Sequence, residues 1–81
     1  MKIEILGPGC QRCHQLYDNT IAAVGQFGAD AGIEVVKITD IKYFAQRGIF
    51  VTPGMIIDGD VITTGKVLST EEIQKKIEEK L

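Results

Sequence analysis

A chain of 81 residues, 44% of them hydrophobic, with a formal net charge of −2, reads as one domain with a lean core. No apolar run approaches the ~20 residues that a bilayer-spanning helix needs. Acids and bases are interspersed, so no Lys or Arg cluster offers a grip on nucleic acid, and Lys75, Lys76 and Lys80 read as a solvated helix face.

Lys2 to Leu6 reads as a short strand ended by Gly7-Pro8-Gly9. The opening Met1-Lys2-Ile3-Glu4-Ile5 is too short and too acidic for a signal peptide, which places the protein in the cytoplasm. A helix is expected from about Gln11 to Phe27. Its apolar positions Leu16, Tyr17, Ile21, Val24 and Phe27 follow one face of a period of about 3.6 residues. Gly28 to Gly32 ends it, and Ile33 to Ile38 forms the next strand around Val35 and Val36. Asp40 caps a short helix from Ile41 to about Gln46, and Gly48 suits its end.

Ile49 to Thr52 leads into Pro53-Gly54. Met55 to Ile57 and Val61 to Thr64 read as two strands joined through Asp58-Gly59, a strong hairpin signal. Gly65 breaks the second of them. Ser69 and Glu72 form a capping box for the last helix, with Leu68 and Ile73 as a hydrophobic staple. Ile73, Ile77 and Leu81 should pack onto the sheet. The order β-α-β-α-β-β-α implies an α/β fold with one parallel pair, one antiparallel hairpin and helices on both faces.

The cysteines number two, in the run Cys10-Gln11-Arg12-Cys13. A disulfide closing so small a loop adds little as a staple. A structural zinc site takes a tetrahedral set of ligands, which two thiols do not fill. Count and spacing therefore favour chemistry over architecture. Cys10 falls at the helix entrance, where unpaired N–H groups and the dipole favour a thiolate, and the cation of Arg12 is nearby. Cys13 extends the apolar stripe by one turn. The first sulfur should be reachable and the second tucked beneath the first turn. Cys10 is then the nucleophile and Cys13 the thiol that resolves the mixed disulfide.

Cys10-Gln11-Arg12-Cys13 after a first strand, Thr52-Pro53 before a hairpin, and a carboxy-terminal helix together resemble a minimal thioredoxin fold. The resemblance covers essentially the whole chain and is closest to the short thioredoxin-like redox-active disulfide proteins. It implies a thiol–disulfide oxidoreductase, monomeric and without bound cofactor or metal. Its partners would be protein disulfides and dithiols, and its electron donor of the thioredoxin-reductase type.

The resemblance also implies that Pro53 is cis and faces the disulfide, leaving the backbone of Thr52 free to pair with a substrate segment. Gly65 matches the glycine that lets a partner approach, although a plain strand breaker fits it equally. Glu4, six residues before Cys10, stands where thioredoxin keeps a buried proton-transferring acid, and Lys37 where it keeps a lysine beside that acid. Without the resemblance, Glu4 reads as an edge-exposed acid on a solvated strand. The chain departs from the pattern in having no Trp and in carrying Gln11-Arg12 where thioredoxin has Gly-Pro. With His14, these residues would tune the thiols, so the reduction potential does not carry over.

Other chemistries fit parts of the pattern. Cys10 to His14 matches the attachment motif of c-type haem, with His14 and Met55 as axial ligands, but small cytochromes c are helical. A carrier of Cu(I) or Zn would use the same thiols, but copper-chaperone domains run β-α-β-β-α-β. An interaction module with idle thiols is the remaining reading.

Overall fold

The computed structural model describes residues 1–28 and 31–81. The elements follow the expected order: β1 (Lys2–Leu6), α1 (Gln11–Gly25), β2 (Glu34–Ile38), α2 (Ile41–Gln46), β3 (Gly54–Ile57), β4 (Asp60–Thr64) and α3 (Thr70–Lys80). They form a mixed four-stranded sheet in the order β2-β1-β3-β4. β1 pairs parallel to β2 and antiparallel to β3, and β3 pairs antiparallel to β4.

Strand alternation splits the core in two. Ile3, Ile5, Met55 and Ile57 pack with Leu16 and Ala23 of α1 and with Ile73 and Ile77 of α3. On the other face Leu6 and Ile56 pack with Phe44 of α2 and with Ile49. Helices therefore cover both faces, and the interior strands β1 and β3 are the most buried. Among the described residues no helix is long and apolar enough to cross a membrane.

The starts of β2, β3 and β4 shift by one residue from the sequence reading, and the helices α1 and α3 depart from it further. α1 stops at Gly25 rather than Phe27, because its last turn tightens: Gln26 N–H donates to Ala23 O at 3.2 Å and Phe27 N–H to Val24 O at 3.0 Å. The buried face of α1 is Cys13, Leu16, Thr20 and Ala23, and Ile21 is exposed. Thr20 can hold this core position because its hydroxyl donates to Leu16 O at 2.7 Å. Leu81 is also exposed, since α3 ends at Lys80, just short of it. Of the turn expected from Gly28 to Gly32, residues 29 and 30 lie outside the described residues.

The turn and cap signals correspond to real geometry. Asp58 and Gly59 both take positive φ, 49° and 87°, as a tight hairpin with right-handed twist requires. Ser69 Oγ accepts from Glu72 N–H at 3.2 Å while Glu72 Oε1 accepts from Ser69 N–H at 3.1 Å. Asp40 caps α2 by accepting from Lys42 N–H at 2.9 Å.

Candidate active site

β1 and α1 meet through Gly7-Pro8-Gly9. Gly7 extends the sheet by one bond, its N–H donating to Ile38 O at 3.0 Å. A Cβ at Gly7 would lie 2.3 Å from Cys13 Sγ and 2.8 Å from Cys13 Cβ, so the first turn of α1 sits directly on the backbone here. That contact fixes where the helix begins. Cys10 is its N-cap, with extended backbone, and His14 N–H donates to Cys10 O at 3.0 Å.

Both cysteines are unbridged, Cys10 exposed and Cys13 buried. Their sulfurs approach to 2.7 Å. Cys13 N–H also donates to Cys10 Sγ at 3.4 Å, one of the orphan donors of the helix start. These contacts act on the two thiols in opposite directions. The hydrogen bond from the Cys13 thiol, then that from the Cys13 N–H, draw Cys10 below the ordinary thiol range. Burial first, and then its hydrogen bond to Cys10, push Cys13 up. The first proton to leave the dithiol therefore leaves from the exposed sulfur.

A direct consequence is selective alkylation. Reduced protein treated with limiting iodoacetamide near pH 7 should carry the label on Cys10 before Cys13, read by peptide mapping. The pH–rate curve for Cys10 should have its midpoint below the ordinary thiol value of about 8.5. Equal labelling of both thiols would contradict the assigned asymmetry.

The Arg12 cation is not what acts on Cys10. Its guanidinium reaches away, Nη2 donating to Gly65 O at 2.6 Å, and Arg12 acts on the thiolate through its backbone N–H instead. Gln11 is exposed on the same turn.

The Thr52–Pro53 peptide bond is cis. Leu6 pairs with Gly54 and Gly54 with Thr64, so Pro53 and Gly65 come to the same end of the sheet as the cysteine turn. Gly65 N–H donates to Pro53 O at 2.7 Å. Gly65 has φ +73°, and a Cβ there would lie 2.5 Å from Val51 Cγ1, so both backbone and space call for glycine. Among the described residues Thr52 makes no backbone hydrogen bond.

Glu4 and Lys37 are not brought together. β1 is an interior strand, and Glu4 is only 8% exposed rather than an edge acid. In the parallel register Glu4 pairs with Val36, whereas Lys37 pairs with Ile5, so the two side chains leave opposite faces of the sheet. Glu4 turns to the α2 face, where its Oε1 accepts from the Tyr43 hydroxyl at 2.5 Å, and this bond pushes the Tyr43 phenol up. Lys37 lies over the Tyr17 ring, 4.2 Å from its centroid, with its Nζ 3.5 Å from His14 Nδ1. The β1 side chain that faces Cys13 is Ile5, across a cavity of about 70 Å³ that His14 and Lys37 also line.

Four residues around the site escape the sequence reading. Phe50, at 82% exposure, stands with Ile41 and Val51 as an exposed apolar group before Pro53. Phe50 and Ile41 line a shallow groove with Pro8 and Thr52. The signal was an apolar run, Ile49-Phe50-Val51, in a segment that is not a strand. Tyr43, the partner of Glu4, carried no such signal.

Comparison with known proteins gives a coherent answer. The family described as Thioredoxin domain matches residues 1–78. A protein named Thioredoxin from Methanocaldococcus jannaschii is 43% identical over 75 residues, covering 93% of this chain and 84% of that protein. Another so named, from Methanothermobacter thermautotrophicus, is 40% identical over 75 residues, covering 93% of this chain and 95% of its own length. With the sheet order, the cysteine turn and the Thr52-Pro53 loop all in place, this chain belongs to the thioredoxin domain family.

Proposed function

We propose that this protein is a thiol–disulfide oxidoreductase that exchanges two electrons between its Cys10–Cys13 dithiol and the disulfides of other proteins. The observation that carries the reading is the pairing of an exposed thiol of lowered pKa with a buried thiol of raised pKa, 2.7 Å apart. The names of the two archaeal relatives support it.

The Cys10 thiolate attacks one sulfur of a partner disulfide. A Cys10–partner bond forms, and the other partner sulfur leaves with the electron pair and takes a proton from solvent. Cys13 then loses its proton and attacks Cys10 Sγ. The second partner thiolate leaves, and Cys10 and Cys13 are left as a disulfide. A dithiol donor of the thioredoxin-reductase type reverses the sequence. In a reducing compartment such as the cytoplasm the net direction is reduction of targets.

Docking uses the groove lined by Pro8 and Thr52, where Pro8 stands two residues before Cys10. The unpaired backbone of Thr52 can bond to an extended partner segment, as in strand addition. Phe50 and Ile41 offer that segment an apolar wall, the kind of rigid exposed contact that anchors an interface. The unit is a single-domain monomer that needs no cofactor.

Reduction of insulin disulfides with dithiothreitol as donor tests the reading. The protein should bring forward the onset of turbidity in proportion to its concentration. An onset that matches dithiothreitol alone would refute it. A Cys10–Cys13 potential near about −270 mV would mark a reductant, and one near about −120 mV an oxidant.

A further inference from the structure

The exchange steps leave the Arg12 side chain without a task, yet it is held in one place. Its Nη2 donates to Gly65 O at 2.6 Å, across the mouth of the site. The acceptor is itself fixed, because Gly65 N–H is bonded to Pro53 O at 2.7 Å and Gly65 sits at φ +73° against Val51. Arg12 thus ties the cysteine turn to the Gly65 loop and, through Gly65, to the Thr52-Pro53 loop, whose Thr52 lines the docking groove.

A guanidinium carries several N–H donors in one plane, and this bond engages one nitrogen. Arg12 is exposed, and no carboxylate pairs with it among the described residues. Lys66, the neighbour of Gly65, is by contrast 3.6 Å from Glu72. The result is a solvent-facing cation whose position is set in advance, between the two cysteines in sequence and bonded to the Gly65 loop at the cysteine end of the sheet. Pre-setting reduces the freedom lost when a ligand binds.

We propose that Arg12 is a specificity-determining residue that favours partner segments bearing a carboxylate beside the cysteine attacked by Cys10. The inference rests on the exchange reading above. The carboxylate takes the guanidinium donors that Gly65 leaves free, an arrangement suited to the planar fork of arginine. The covalent step is unchanged: Cys10 Sγ bonds one partner sulfur while the other leaves with the electron pair and is protonated by solvent.

The test uses the whole reduced protein and two disulfide-linked peptide dimers, identical except for Glu or Gln on each side of the cysteine. Second-order rates of reduction are divided by those of dithiothreitol with the same peptide, which removes the intrinsic effect of the Glu charge. The normalised Glu-to-Gln ratio should be about threefold at low salt, the size expected of an exposed charge pair. It should fall towards unity at about 1 M salt and in Arg12→Gln, and should be partly kept in Arg12→Lys. A wild-type ratio of one, or an equal ratio in Arg12→Gln, overturns the proposal. Reduction of both peptides at equal normalised rates removes this inference alone. Reduction of neither removes the exchange reading and this inference with it.

Discussion

Cys10→Ser should abolish catalysed disulfide reduction, while Cys13→Ser should stop the reaction halfway. The two outcomes differ because the sulfurs differ. Cys10 is exposed and drawn towards the thiolate, so its loss removes the attacking atom. The rate should fall on the order of a thousandfold or more, as when a covalent nucleophile is deleted, leaving the assay's uncatalysed background. Cys13 is buried and its pKa raised, so it does not compete for the first attack. Without it the Cys10–partner bond forms and nothing inside the protein breaks it. Non-reducing electrophoresis should then show a stable adduct of Cys13→Ser with the target and none with Cys10→Ser. A Cys10→Ser protein that still turns over, or a Cys13→Ser protein that yields no adduct, would reverse the assigned order of the two thiols.

Gly7→Ala should damage stability and site together. The added methyl would lie 2.3 Å from Cys13 Sγ, inside any van der Waals separation, and Cys13 is held by the helix behind it. Either the sulfur or the start of α1 must move. Overpacking of this kind typically costs about 1–3 kcal/mol, against a total of roughly 0.05–0.15 kcal/mol per residue for a folded domain. Each kcal/mol should lower the melting temperature by about 4–8 °C in a domain of this size. Gly25→Ala is the matched control. It adds the same methyl where nothing lies within 4 Å and where φ is ordinary for a helix, so it should be neutral or stabilise by up to about 1 kcal/mol. Urea unfolding of both variants decides the matter. A Gly7→Ala protein as stable as wild type would show that the close approach of β1 and α1 is not a constraint.

The sequence was most legible where a local signal has a single geometric solution. Asp58-Gly59, the Ser69–Glu72 capping box and the Asp40 cap each name a backbone shape without reference to the rest of the chain. The cysteine turn was legible for the same reason, since a helix start after glycines makes Cys10 the exposed cap and puts Cys13 on the buried face. What was not legible depends on which face of an element meets which neighbour. Ile21 and Thr20 are adjacent, and only the placement of α1 on the sheet decides that the threonine goes in and the isoleucine stays out. The Glu4–Lys37 pair fails on the same ground. Counting back from Cys10 reaches the right strand, but alternation points Glu4 at Tyr43 and leaves Ile5 towards Cys13. The Arg12–Gly65 bond joins positions far apart in the chain, and no periodicity encodes it.

The direction of the strands has a practical corollary. β1 runs towards the cysteine turn, so Met1 lies at the other end, where its carbonyl accepts from Glu34 N–H at 2.8 Å. α3 starts after Gly65 and runs back to the hairpin, where Lys80 pairs with Asp60. Both chain ends therefore emerge on the side away from the sulfurs, about the length of a five-residue strand, or roughly 16 Å, distant. A fusion partner, an affinity tag or a bead attached through either end leaves Cys10 facing outward. Immobilised on a solid support, the protein should present its reactive thiol to the solution.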